Sequence, residues 1–200
     1  MGLAVKPTFD LDTRHGLPAD LRELLLRYPR DVWTGHRNLG PTARFWLQRH
    51  DMFRELGGAL DEALGQQREQ VIDLGQFRVW FVPRLNFFLT QLDEHHRIED
   101  THYFPVFQLA DARLAHGFDL LEGDHEVIHR DLQAVAETAG RFLQETNLAG
   151  GKPGDTARRA SEAYSDASER LLRRLVRHQE DEEDLIIPMI LDRSEPGLGI

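Results

Sequence analysis

Cysteine is absent from the 200 residues. That excludes disulfides, thiolate–metal sites and iron–sulfur ligation by this chain alone, and it fits a reducing compartment. No apolar run approaches the roughly 18 residues of a membrane-spanning helix. Residues Met1 to Asp10 lack a basic stretch followed by an apolar one, so no secretory signal is expected. Positive charge is scarce: 24 Lys and Arg stand against 34 Asp and Glu, a formal net charge of −10. A nucleic-acid binder shows a basic patch or stripe. Here bases are interleaved with acids, as in Arg22-Glu23 and Glu169-Arg170, the pattern of a solvated helical surface. Sustained apolar–polar alternation is also missing, so no strand is predicted. A soluble, cytoplasmic, all-α protein with no nucleic-acid or membrane partner is the expectation. The 40% apolar share is enough for one sizeable core.

Helical periodicity is abundant. Residues 1–40, punctuated by Pro7, Pro18, Pro29, Gly35 and Gly40, read as an N-terminal arm with one short amphipathic helix between Pro18 and Tyr28. A first long helix starts near Pro41, a residue favoured in the first turn, with the stripe Trp46, His50, Phe53, Gly57, Leu60, Leu64. After a link near Gly65 to Gly75, a second runs to about Phe104, starting or kinking near Pro83, with the stripe Leu85, Phe88, Leu92, His95, Glu99, His102. A third covers roughly Phe118 to Glu145, with Phe118, Leu121, His125, Ile128, Leu132 and Val135 on one face and His129 one turn past His125. The segment Asn147 to Gly154 breaks it. A fourth runs from about Asp155 to Ile187 with the stripe Leu171, Leu175, His178, Glu182, Leu185, Met189. Four long helices with short links predict an antiparallel up-down four-helix bundle over residues 41–191, with residues 192–200 as a tail.

Two of these helices share one chemical template. His95, Glu99 and Pro105 recur as His178, Glu182 and Pro188, with an apolar pair after each proline, Val106-Phe107 and Met189-Ile190. A histidine and a carboxylate four apart lie on one helix face, one turn from each other. His50, His125 and His129 add three imidazoles, and all seven groups are predicted to point inward. Burying them without partners costs a few kcal/mol for each polar group and more for each ion. Inward Lys or Arg is not expected to neutralise them, since Arg174 and Arg177 flank their stripe and tend to snorkel outward. A pair of metal cations offsets the cost by bonding the groups directly.

Imidazole and carboxylate without thiolate suit iron, manganese and zinc. Seven ligands exceed the closed tetrahedron of structural zinc, which favours two Fe ions, with Mn or Zn as alternatives. Two octahedral ions offer about twelve positions. Five histidines, two bridging carboxylates and a bridging oxygen leave about one for a small ligand. Of the other histidines, His102 is a ligand, a supporting group or a plain core residue. His36 reads as a capping or loop residue, and His15 and His116 as surface residues.

At these residues the chain resembles the hemerythrin-like family, also called HHE cation-binding domains. The resemblance covers roughly residues 41–191 and rests on four stretches in order: Gln48-Arg49-His50-Asp51, His95-His96-Arg97-Ile98-Glu99-Asp100, Asp124-His125-Glu126-Val127-Ile128-His129 and His178-Gln179-Glu180-Asp181-Glu182-Glu183. It implies an up-down helical bundle around an oxo- or hydroxo-bridged non-haem di-iron centre, with Glu99 and Glu182 bridging and His50, His95, His125, His129 and His178 as terminal ligands. Glu183 sits at the five-residue spacing of oxygen-carrying hemerythrins and stays open as the bridging acid. The phase of the stripe and the match to His95/Glu99 favour Glu182. His96 stands where some relatives add a ligand.

Three functions follow from such a centre. It binds dioxygen or nitric oxide for storage, delivery or sensing; or it turns over peroxide or nitric oxide or lends iron to damaged iron sites, with His96, His102 and Asp100 moving protons; or the metal merely holds an interaction module together. The first is the leading expectation, with a protein partner or a homodimer allowed for by the arm.

Overall fold

The computed structural model describes residues 10–148 and 154–200, so the middle of the predicted breaker lies outside the described residues. Among the described residues every regular element is helical. A 3₁₀ turn, Ala19–Leu21, leads into α1 (Glu23–Arg27) and α2 (Arg30–Trp33). Then come α3 (Pro41–Arg68) and α4 (Leu74–Ile98), a π-helical turn Glu99–Tyr103, and α5 (Phe104–Ala110). A 3₁₀ turn, Ala112–Leu114, precedes α6 (Ala115–Leu148), α7 (Asp155–Arg193) and α8 (Glu195–Leu198). No described helix is long and apolar enough to cross a membrane.

The chain divides into two compact units. The first comprises Met1–His50, Ile98–His125 and Arg174–Ile200, taken over the described residues. Its core joins Leu17, Leu21, Leu24 and Trp33 of the arm to Trp46, Phe104, Phe107, Phe118 and the apolar end of α7. That end, Leu185 to Leu191, is buried all round. A helix that is apolar on every side belongs in an interior, and the burial explains why α7 runs on to Arg193 through Pro188. The expected stop at Ile187 is therefore corrected, because packing outweighs the roughly 3 kcal/mol of an interior proline. The segment after Arg193 is structured as well: α8 buries Leu198, and the Glu195 carboxylate accepts the Ala43 N–H at 2.8 Å, capping the start of α3.

The second unit comprises Asp51–Arg97 and Glu126–Arg173. Its core is aromatic. Phe77, Phe81, Leu85, Phe88 and Leu92 repeat at helical spacing on α4 and are all buried. Phe77 stacks on Phe81 at 4.5 Å, and Phe142 and Tyr164 pack around them. Helix α4 begins at Leu74, nine residues before Pro83. Asp73 sets that start: its carboxylate accepts the Gln76 N–H at 2.9 Å, half of a capping box that stands in the sequence as Asp73-Leu74-Gly75-Gln76.

Candidate metal centre

Five predicted donors lie in the first unit, and all are buried: His50, Glu99, His125, His178 and Glu182. Helix α3 carries His50 one turn after Trp46. The π-turn carries Glu99, α6 carries His125, and α7 carries His178 and Glu182 one turn apart. A π-turn adds a residue to the helical repeat and is frequent at functional sites.

The imidazoles are held from behind. His50 Nδ1 lies 3.0 Å from Glu183 Oε1, His125 Nδ1 lies 2.7 Å from Asp100 Oδ1, and His178 Nδ1 lies 3.3 Å from Asp124 Oδ2. With each Nδ1 facing a carboxylate, the proton belongs on Nδ1 and the lone pair on Nε2. The Nε2 atoms turn to a common place. His125 Nε2 and His178 Nε2 are 3.0 Å apart. Glu182 Oε2 lies 3.3 Å from His50 Nε2 and 3.4 Å from His178 Nε2. Glu99 Oε2 lies 3.6 Å from His125 Nε2, and a donor atom of Glu99 is within 4.8 Å of one on His50. The Trp46 indole donates to the other oxygen of Glu182 at 2.9 Å, which fixes the carboxylate plane.

The charges ask for a cation. Burial first, then the neighbouring Glu182, hold the Glu99 carboxyl well above its ordinary pKa. Burial drives His125 below its ordinary value despite the hydrogen bond to Asp100, so the ring is neutral and ready to ligate. His50 moves the other way: Glu182 and Glu183 overcome its burial and raise it. Two lone-pair nitrogens facing each other at 3.0 Å repel unless something positive sits between them. Nitrogens each about 2.1 Å from one octahedral ion, at right angles, are about 3.0 Å apart. The donor set fits a metal.

The profile of the hemerythrin HHE cation-binding domain matches residues 42–190, about three-quarters of the chain. The chain belongs to the hemerythrin HHE cation-binding family. Neither a curated protein nor a solved structure matches it.

The two remaining predicted HHE donors lie in the second unit. His95, half-buried, packs its ring at 5.3 Å from Phe53, one turn ahead of Glu99 in sequence. His129 does not point inward as expected. Its side chain is 55% exposed, with Nδ1 at 2.9 Å from Asp93 Oδ1 and Nε2 at 3.2 Å from Gln133. Ile128 is the buried residue of that turn, so the stripe passes beside His129. His96, by contrast, is buried. His102 is exposed against Thr101, because the π-turn shifts the helical phase after Glu99 and turns Phe104 inward instead.

Sequence reasoning gave Asp100 only a proton-moving role and gave Asp124 none, whereas both support imidazoles of this HHE site. Each is the chain neighbour of a predicted donor, and that adjacency was the available signal. Glu183 lies behind His50 and accepts from Arg30 at 2.8 Å. The expectation that too few Lys or Arg point inward to neutralise the donors did not reckon with the arm. Arg14 of the arm is buried, and Asp124 and Asp181 overcome that burial to raise its pKa. Its charge is engaged by those two carboxylates, so the case for a cation beside Glu99 and Glu182 stands.

Proposed function

We propose that this HHE protein holds a di-iron centre and binds dioxygen or nitric oxide reversibly, for storage, delivery or sensing. His50, Glu99, His125, His178 and Glu182, the buried donors of the first unit, would hold the ions, and His95 is the further donor the family pattern implies. His96, buried where His129 is exposed, is the alternative donor to His129. Two iron ions would supply redox-active, partly open coordination for a small ligand. The family implies an antiparallel four-helix arrangement of α3, α4, α6 and α7.

One observation carries the reading: Nε2 atoms and carboxylate oxygens converge while Nδ1 of each of the three donor imidazoles of the first unit, His50, His125 and His178, is held by a carboxylate. That is how metal-binding histidines are set and oriented. Aromatic rings surround the donors and keep water out. The Phe104 ring stacks on His125 at 5.5 Å, and Trp46 meets Tyr103 edge-on at 4.8 Å. Reversible binding needs that dryness.

A second reading, turnover of peroxide or nitric oxide, is favoured by Asp100. Its side chain is 37% exposed while it bonds the buried His125, a direct proton route from solvent. Metal analysis of protein expressed with iron, with spectra taken reduced and after dioxygen or nitric oxide, separates the two. Two irons per chain and a stable, reversible coloured adduct support binding, whereas catalytic loss of the ligand supports the enzyme. Zinc-only occupancy, or iron spectra that ignore dioxygen, nitric oxide and azide, would refute both. His95→Ala should lower iron well below two per chain.

A further inference from the structure

We propose that the arm ahead of the family match is a working part of the metal centre: Arg14 and Arg30 each clamp a carboxylate that holds Nδ1 of a ligand imidazole, and so set where its Nε2 points. The proposal deepens the di-metal reading and rests on it. Both arginines precede residue 42, where the HHE match begins.

The two relays have the same order: guanidinium, carboxylate, imidazole. In the first, Arg14 forks onto Asp124, Nη1 to Oδ1 at 3.1 Å and Nη2 to Oδ2 at 2.5 Å, and Asp124 Oδ2 lies 3.3 Å from His178 Nδ1. Arg14 Nε also donates to Asp181 Oδ2 at 2.6 Å, so the guanidinium ties α6 to α7. In the second, Arg30 Nη1 donates to Glu183 Oε2 at 2.8 Å, and Oε1 of the same carboxylate lies 3.0 Å from His50 Nδ1. Arg30 is itself held by Asp184 at 2.7 Å, by the Glu180 carbonyl at 3.0 Å and by the Trp33 ring at 4.8 Å.

A carboxylate behind an imidazole can rotate, or draw the proton off Nδ1. A planar guanidinium opposes both. It fixes the carboxylate plane through directed hydrogen bonds, and its charge lowers the carboxylate's pull on the proton. The imidazole then keeps Nδ1 turned to the carboxylate behind and Nε2 turned to the front. The arm is built to deliver these groups. Gly16, at φ +128°, turns the chain just after Arg14 in a conformation L side chains rarely adopt, and Leu17, Leu21, Leu24 and Trp33 bury themselves in the core. His125 is the built-in contrast, since its partner Asp100 comes from the π-turn rather than the arm.

The test uses the full chain with zinc as a diamagnetic probe. Wild type, Arg14→Gln, Arg30→Gln, Arg30→Lys and Arg27→Gln are titrated against a chromophoric chelator, and their ¹⁵N-histidine spectra are recorded. Arg27 pairs with Glu23 and Asp192, neither of which holds a donor imidazole, so it reports arm docking without a relay. Arg30→Gln should weaken zinc about 10-fold, the lower range for groups that orient metal-binding histidines, and speed exchange of the His50 Nδ1 proton while leaving that of His178 alone. Arg14→Gln should do the converse. Arg30→Lys should fall between, having charge without the fork, and Arg27→Gln should match wild type. If Arg14→Gln fails to fold, Arg30→Gln decides, since its side chain is 45% exposed. Wild-type zinc affinity and unchanged Nδ1 signals in Arg30→Gln overturn the proposal alone. A wild type that binds neither zinc nor iron overturns it together with the di-metal reading.

Discussion

Replacing Glu99 by glutamine should stabilise the metal-free protein and cripple the metal-bound one. Glu99 is 1% exposed, and its carboxyl is raised well above its ordinary pKa by burial and then by Glu182. The folded state therefore holds a proton that the unfolded chain releases. For a carboxyl raised in this way, stability rises as pH falls from the folded pKa and is full below the unfolded value near 4.5. At pH 8, well above the unfolded value, burying this group is a penalty on the apoprotein, since the fold must either keep a proton that the unfolded chain releases or bury a charge. Glutamine keeps the shape and removes the charge, relieving about 2 kcal/mol, the lower end of what a buried charge costs. For a chain of this size that is about 4–8 °C in Tm. With a cation present the sign reverses, because the ion needs the ionised oxygen. Metal at 100 times its Kd stabilises the folded state by about 2.7 kcal/mol, and the variant should lose most of that. The assay is thermal unfolding of both proteins, chelated and metal-loaded, at pH 5.5 and pH 8. A chelated Glu99→Gln that is less stable than wild type at pH 8, and that keeps the wild-type slope between the two pH values, would refute the reasoning.

Trp46→Phe removes the indole donor to Glu182 and should cost about 2 kcal/mol, as for a hydrogen bond to a charged group; urea unfolding measures it. Asp111 accepts from Arg113 at 2.8 Å and Arg193 at 2.9 Å, and Arg113 first holds its carboxyl far below the usual range. Its contribution is present above the usual carboxylate pKa near 4 and is lost as pH falls below it, so Asp111→Asn should flatten the acid limb of a stability–pH curve. His96→Ala should lower bound metal per chain while His129→Ala, on the exposed side of α6, leaves it unchanged, as read by metal analysis.

Helix phase was legible because it is local. The stripes through Trp46, Phe88, Leu121 and Leu175 put buried residues where a 3.6 repeat puts them. The same arithmetic placed His50, Glu99, His125, His178 and Glu182 in the interior. It failed where the repeat itself changes. The π-turn at Glu99–Tyr103 is one residue out of phase, and His102 moved from stripe to surface. It also failed at the margin of a stripe, where His129 is one position beyond the buried Ile128. Starts and stops were legible only in part. Asp73-Leu74-Gly75-Gln76 is a cap that the reading of this stretch as a link passed over, so α4 starts at Leu74 and not near Pro83. The passage of α7 through Pro188 depends on an interior assembled from the arm and α5, which no local pattern announces.

The supporting carboxylates show why a site is harder to read than a stripe. Successive residues on a helix point about 100° apart, so an acid beside a histidine rarely serves that histidine. Asp124 precedes His125 yet holds His178, and Asp100 follows Glu99 yet holds His125. Glu183 follows Glu182 and holds His50. Each acid faces the imidazole of another helix, because its own neighbour has turned away. An acid adjacent to a donor is therefore a weak signal for its own residue and a stronger one for a donor on a facing helix. The arginines behind those acids lie one contact further out, in a segment with no helical repeat long enough to carry phase. Arg14 and Arg30 become readable only once Asp124 and Glu183 are in place, since a fork needs a carboxylate of fixed plane to match.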